Sequence, residues 1–389
     1  MLKLLKYLKG YRKESVCAPL FKLLEASFEL LVPLVMARII DVGIKNQDKG
    51  YIVKMCLLMA ALGLIGLVCS ITAQYFSARA AVGFASKLRH ELFAHIQGLS
   101  FSEMDTIGSS TMITRMTSDI NQVQSGVNLF LRLFMRSPFI VFGAMIMAFT
   151  IDAGAAMVFV AVIPVLCVIV FGIMLISIPI YRKVQDCLDR VVGVTRENLQ
   201  GVRVIRAFCK EQQEIEHFDS DNQTLVKIQL LSGRISALMN PLTYIVINGG
   251  LLVLLYIGAN RVNSGILLQG SVVALVNYMS QILVELVKLA NLIITVTKAI
   301  ACGNRIQSVM ETTSTMQDGS LPDREGCKEE DVPAVSFENV QFRYAGAGAD
   351  SLSDLSFEVK KGETVGVIGG TGSGKTSLVS LIPRFYDVR

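Results

Sequence analysis

VIGGTGSGKTSLVSLIPRFYDVR, residues 367–389, places Gly369, Gly374, Lys375 and Thr376 at the spacing G-x-x-x-x-G-K-[ST]. Glycines at this spacing let the backbone curl so that successive N–H groups face phosphate oxygens. A helix that starts here adds the positive end of its dipole. Lys375 is a mobile point charge for the outer phosphates, and the Thr376 hydroxyl is a ligand for Mg²⁺. The candidate phosphate-binding set is Gly369, Gly370, Thr371, Gly372, Ser373, Gly374, Lys375, Thr376 and Ser377, with Thr376 also the metal ligand. The context suits the motif. ETVGVI before it predicts a buried strand, and KTSLVSLI after it predicts a helix ended by Pro383.

Upstream the composition is that of a membrane protein. The 389 residues are 52% hydrophobic and only 18% charged, against about a quarter charged in soluble globular chains. Six apolar stretches, near 16–43, 52–78, 127–150, 154–181, 242–260 and 271–297, are long enough to cross a bilayer. The opening MLKLLKYLKGYRK is basic and amphipathic, with no small-residue cleavage site, and predicts a helix lying on the membrane surface. The connections after the second and fourth stretches are long and carry Arg79, Arg89, Arg115, Arg182, Arg190, Arg196, Arg203, Arg206 and Arg234. Basic connections stay cytoplasmic, so both termini and both long connections are expected on that side of the plasma membrane.

The long connections repeat apolar residues at helical spacing, as in ARAAVGFASKLRHELFAHIQGL, so the spanning helices are expected to continue well past the membrane. After about residue 300 the pattern changes. Residues 311–333 are polar with glycine and two prolines and predict a linker between a membrane domain at 1–310 and a soluble domain opening at 334–389. AVSFENVQFRYA predicts a strand, and LSFEVKKGETVGVIG predicts two strands around a Lys-Lys-Gly turn. The fold class expected is an α-helical membrane protein of six transmembrane helices with long cytoplasmic extensions, followed by the incomplete start of an α/β P-loop ATPase domain.

Taken with the spans ahead of it, the P-loop gives the chain a known likeness. VPLVMARIIDVGI, SSTMITRMTSDINQVQ, RENLQGVRVIRAF and GGTGSGKTS resemble an ATP-binding cassette exporter half-transporter of the heterodimeric multidrug type. The resemblance implies ATP and Mg²⁺ as cofactors, a second half-transporter as partner and ATP-driven export of small amphipathic molecules. It places Tyr344 where an aromatic stacks on adenine. It implies coupling helices near Ser109–Arg115 and Gly201–Phe208 that touch the nucleotide domains. The family's acidic motif, its glutamate, signature and switch histidine do not occur in the 389 residues, so the chain looks truncated, and no residue in it positions the attacking water. LLSGRI, 230–235, copies part of the signature but lies in a helical pattern before the P-loop. A lipid or peptide exporter and a non-hydrolytic partner subunit are the alternatives.

Other features weigh less. The eight cysteines form no C-x-x-C pair and read as free thiols. HELFAH sets His90 and His95 five apart, where a zinc-protease motif needs four, so both read as stalk residues, as does His217. Charges within the first stretch, Lys22, Glu25 and Glu29, and within the sixth, Glu285 and Lys288, have two readings. The plainer is pairing within each helix. The functional one is a polar wall of the transport pathway, favouring cationic substrates. Pro33, Pro138, Pro164 and Pro241 predict kinks.

Overall fold

The computed structural model describes residues 2–316 and 333–388. Most of the predicted linker, and Cys327 within it, lie outside the described residues. The chain begins with a 3₁₀ helix, Leu2–Tyr11, then α1 (Arg12–Arg38), a π-helical turn (Ile39–Ile44), α2 (Lys49–Gln97), α3 (Phe101–Ile107) and α4 (Ser109–Thr114). A second π-helical turn, Arg115–Asp119, leads into α5 (Ile120–Leu133), α6 (Arg136–Ile151), α7 (Ala153–Ala207), α8 (Glu211–Ala237), α9 (Met239–Asn263) and α10 (Gln269–Glu311). Two strands follow, β1 (Val335–Phe342) and β2 (Leu352–Val359), then α11 (Lys375–Leu381).

Among the described residues, five segments are long and apolar enough to cross a membrane: Lys49–Gln97, Ser109–Ile151, Ala153–Ala207, Glu211–Asn263 and Gln269–Glu311. The first expected span, 16–43, is helical as α1 and the π-helical turn after it. It falls short on apolarity because Lys22, Glu25 and Glu29 interrupt it. The long connections are helices, as expected. α7 has 55 residues, which at about 1.5 Å per residue far exceeds a hydrocarbon layer of about 30 Å.

The third expected span is broken. α5 ends at Leu133 and α6 starts at Arg136. Pro138 has no N–H to bond the carbonyl of Phe134, so the helix restarts there with proline in its first turn. Pro241 lies likewise in the first turn of α9, whereas Pro33, Pro164 and Pro179 are helix-internal.

Two compact units divide the chain: residues 12–80 with 128–296, and residues 1–11, 81–127 and 297–389. The first is the apolar bundle. Its core joins Ala26, Leu30 and Ala37 of α1 to Ile140, Ala144 and Ala148 of α6, Phe159, Val162 and Leu166 of α7, Leu254 of α9, and Tyr278, Met279 and Ile282 of α10. Small residues at the crossings bring backbones close, as lipid-embedded helices require. A Cβ on Gly143 would sit 2.5 Å from Leu30, and one on Gly250 2.8 Å from Val162. The short turns are also fastened. Asp152 accepts from the Ala155 N–H at 2.7 Å as the N-cap of α7 and pairs with Arg261 at the end of α9. Asp41, in the first π turn, accepts from the Gly270 N–H at 2.6 Å at the start of α10.

In the other unit the far half of α2 buries Ala81, Phe84, Ala85, Leu88 and Leu92, a helical stripe. The N-terminal 3₁₀ helix buries Leu4 and Tyr7 and sets the ring of Tyr11 against Gly83, where no side chain would fit. Lys3 pairs with Glu311 at 2.6 Å. His95 donates through Nε2 to the carbonyls of Val309 (3.1 Å) and Thr312 (2.9 Å), capping the end of α10. It is a structural stalk residue, and among the described residues no His, Cys, Asp and Glu cluster suits a metal.

Asp119 ends the second π turn and is buried. Arg305 of α10 grips it with two bonds, at 2.6 and 3.1 Å, and Arg115 adds a third at 2.8 Å. Burial alone raises its carboxyl pKa, but the Arg305 bonds outweigh burial and hold it below the ordinary carboxylate range. A depressed folded value means that the contribution is complete above about pH 4 and is lost as pH falls through the folded value. Asp119→Asn is expected to cost about 2 kcal/mol, since Arg305 is half exposed and keeps solvent. Hydrogen exchange at pH 7 checks it: the end of α10, residues 297–311, should exchange faster in the variant, and unchanged protection there would refute the clamp.

Candidate functional site

The P-loop lies on the fragment of sheet and helix that follows α10. β1 and β2 form an antiparallel pair in which Val335 faces Val359, Phe337 faces Phe357 and Phe342 faces Leu352. Register shifts between these pairs bend the ribbon. Phe337 and Phe357 stack with centroids 4.6 Å apart. Phe337, Phe342 and Leu352 meet Leu381 of α11 in a small core. The first strand and the strand before the Lys-Lys-Gly turn are therefore as expected. The next one is not. Residues 363–370 join no strand among the described residues, and Ile368 is 97% exposed. An apolar run with β propensity needs neighbouring strands to bury it, and the ribbon gives it none.

The loop itself has the predicted bends. Gly372 and Gly374 both take φ +85°, a conformation that costs other residues about 1–2 kcal/mol. A Cβ on Gly369 would sit 2.5 Å from Ser373 Oγ, and one on Gly374 2.7 Å from Leu352 Cδ2 and 3.2 Å from the Ser351 carbonyl. Lys375 folds back over the loop, donating to the carbonyls of Gly369 (2.8 Å) and Gly370 (2.6 Å). α11 runs from Lys375 as predicted, and Thr376 in its first turn is exposed. The structure thus brings Lys375 over the glycines and leaves Thr376 exposed on the same turn.

Tyr344 joins this group. Its hydroxyl lies 2.9 Å from Ser377 Oγ, and its ring meets Phe342 and Tyr386 edge-on at 4.7 and 5.3 Å. Tyr386 continues the chain of contacts to α3. It donates to Asp105 Oδ2 at 2.6 Å, and Phe385 beside it packs on Phe101 at 4.5 Å. Burial first, then the bond to Asp105, push the Tyr386 phenol up to about 12, so it remains a donor at neutral pH. A cavity of about 90 Å³ lies among Ser102, Asp105, Thr106, Tyr344, Ala345 and Tyr386.

The helix that meets the P-loop fragment is therefore α3, residues 101–107, and the expectation of a contact near Ser109–Arg115 is displaced by about one helix. Ser109–Arg115 forms α4 and the start of the π turn, tied to α10 through Arg115 and Asp119. Gly201–Phe208 is the end of α7 and the turn after it, with Val204 and Phe208 exposed. The pairs in the apolar bundle also go beyond expectation. Lys22 pairs with Glu25 at 2.5 Å and Lys288 with Glu285 at 2.8 Å, each within its own helix. Arg136 of α6 adds what sequence reasoning missed: it bonds Glu29 at 2.6 Å and Glu285 at 2.7 Å, and Ser137 donates to the second Glu285 oxygen at 2.8 Å. An arginine inside the third apolar stretch was the available signal.

Comparison with known proteins identifies both parts. Residues 16–286 match the family model described as the ABC transporter transmembrane region, and residues 352–388 match the model described as ABC transporter. An uncharacterized ABC transporter ATP-binding protein of Mycobacterium tuberculosis (strain CDC 1551 / Oshkosh) is 32% identical over 98% of this chain. An ATP-dependent lipid A-core flippase of Chromobacterium violaceum is 26% identical over 99% of it. A probable multidrug resistance ABC transporter ATP-binding/permease protein of Bacillus subtilis, YheH, is 26% identical over 88%. The chain spans 66%, 65% and 50% of these relatives' own lengths.

The two left-handed glycines separate strain from collision. Gly372→Ala meets no atom within 4 Å, so only its φ is penalised, whereas Gly374→Ala also drives a methyl into Leu352. Gly374→Ala is expected to cost about 1 kcal/mol or more beyond Gly372→Ala. Exchange protection of residues 375–381 reads the difference. Equal loss in both variants would show that the contact with β2 does not hold the loop.

Proposed function

The chain belongs to the ABC transporter family, and from that premise we propose that it forms the membrane half and the start of the nucleotide-binding domain of an ATP-driven exporter of small amphipathic molecules. In this reading residues 1–310 are the membrane domain and 334–389 open the cassette. α1 serves as the first of six spans, both termini are cytoplasmic, and the protein sits in the plasma membrane. It works with a second half-transporter, a different chain in the resemblance to heterodimeric exporters. The long apolar face of α2, only 6% buried over its span, leaves room for lipid and for that second half.

The observation that carries the reading is one continuous set of contacts, Ser377–Tyr344–Tyr386–Asp105, which links the P-loop helix to α3. The residues suit a bound nucleotide and metal. The glycine bends form a cradle that a Cβ at Gly369 would crowd against Ser373 Oγ. The N–H groups of Gly369, Gly370, Thr371, Gly372, Ser373 and Gly374 would hold phosphate, and Ser377 would border it. Lys375 would exchange its bonds to the Gly369 and Gly370 carbonyls for phosphate oxygens, and Thr376 would hold Mg²⁺. ATP binding and hydrolysis supply the free energy of transport. This chain's part is to bind the phosphates and to pass a change at α11 through Tyr344 and Tyr386 to α3. Tyr344 would flank the adenine.

The relatives' names divide between a lipid A-core flippase and a multidrug resistance transporter, so the cargo is proposed only as amphipathic. The test uses inside-out vesicles from cells expressing the complete reading frame with its partner. ATP-dependent uptake of a lipophilic dye is expected to fall at least tenfold in Lys375→Ala, with the protein still in the membrane. Uptake that survives both Lys375→Ala and omission of ATP would overturn the reading.

A further inference from the structure

Within the apolar bundle, a cavity of about 400 Å³ opens between α1, α2 and α10, in the size range of small-ligand sites. Its wall carries both signs of charge. Glu29 gives one oxygen to Arg136 yet remains 40% exposed, and Lys288, bonded to Glu285, remains 42% exposed. Glu285 itself is consumed: Arg136, Ser137 and Lys288 hold it, and it is 3% exposed. Gln281 lines the same wall, and its Oε1 is a buried acceptor with no donor among the described residues. The rest is apolar and adaptable, with Pro33, Met36 and Met59.

We propose that this cavity binds the headgroup of a zwitterionic amphiphile, with the solute's ammonium toward Glu29 and Gln281 and its anionic group toward Lys288. A buried carbonyl acceptor without a donor favours a ligand that brings N–H or polarised C–H groups. Charges of both signs in an apolar wall are costly unless they meet partners. A purely cationic solute would leave Lys288 opposed, and a purely anionic one would leave Glu29 opposed. The two exposed heads select a molecule carrying both charges, while the Met and Pro wall accepts its tail. The site deepens the export reading and rests on it only in making the bound molecule cargo.

The chain contains no tryptophan, so Met59→Trp gives a single fluorescent reporter on the cavity wall. The protein is titrated in digitonin micelles, without nucleotide, with four decyl-chain probes that differ only in headgroup: phosphocholine, trimethylammonium, sulfate and maltoside. Decylphosphocholine is expected to bind at least about tenfold tighter than decyl maltoside, with the singly charged probes between them. Glu29→Gln should weaken the phosphocholine and trimethylammonium probes about tenfold and spare sulfate. Lys288→Gln should weaken phosphocholine and sulfate and spare trimethylammonium. Lys288 is half exposed, so this second variant stays informative if Glu29→Gln disturbs the bundle through Arg136. Dihexanoyl phosphatidylcholine separates the sources: binding of it as well assigns the site to lipids, and its exclusion assigns the site to single-chain solutes. Equal affinity for all headgroups, or affinities that neither substitution changes, would overturn the proposal. Neither result depends on nucleotide, so failure of the export reading, seen in the Lys375→Ala assay, is told apart from failure of the site.

Discussion

The guanidinium of Arg136 is the constraint around which the apolar bundle is arranged. It enters at the first turn of α6, where the chain restarts after the break near Pro138, and bonds Glu29 of α1 and Glu285 of α10. A charge at the centre of a span costs about 2.5–3.5 kcal/mol even on the lowest scale. Two carboxylates from two other helices, bonded to the guanidinium at 2.6 and 2.7 Å, offset that cost only if the helices keep their places. Lys288 and Ser137 then complete Glu285. Around this point the helices can be close-packed with small residues, because their relative rotation is already set. The same cluster leaves Glu29 and Lys288 partly open, which is what gives the neighbouring cavity its two signs.

The other unit is organised on different terms. There polar groups meet water, and its ties are caps and clamps at helix ends: His95 on the last carbonyls of α10, Arg305 on Asp119, and Glu103 taking the Thr315 N–H and hydroxyl. Burial raises the Glu103 carboxyl, but bonds from Ser100 and Thr315 prevail and keep it ionised at neutral pH. These ties hold α2, α3 and α10 as one stem. α3 in turn meets Phe385 and Tyr386, just beyond the P-loop helix. A ligand that alters α11 therefore has a short physical route to a helix end, and that route consists of ring contacts and two hydroxyl bonds rather than of a flexible loop.

Much of this was legible in the sequence for identifiable reasons. Apolar length and helical periodicity marked the spans and their continuation as stalks, since both are local properties of the chain. The P-loop was legible because its bends require glycine, and Gly372 and Gly374 do take left-handed backbone. What escaped depends on partners distant in sequence. Arg136 is 107 residues from Glu29 and 149 from Glu285, so no local pattern announces the cluster, and pairing at i,i+3 accounted only for its Lys288–Glu285 contact. The resemblance implied that the helix meeting the cassette fragment lies near Ser109–Arg115; the contacts of Phe385 with Phe101 and of Tyr386 with Asp105 place it at 101–107. ETVGVI has the composition of a buried strand and lies exposed, because burial of a strand is a property of its neighbours and not of its own residues.

The most direct test of this account is a double-mutant cycle between Arg136 and Glu285. Arg136→Met, Glu285→Gln and the double variant would be unfolded from mixed micelles and their stabilities compared. Each single substitution takes one partner from a buried charge that keeps its others, Lys288 and Ser137 for Glu285 and Glu29 for Arg136, and should cost about 1–3 kcal/mol, while the double variant should recover about 1 kcal/mol or more of the sum. Additive losses, with a coupling below about 0.5 kcal/mol, would contradict the claim that this contact sets the arrangement of the bundle.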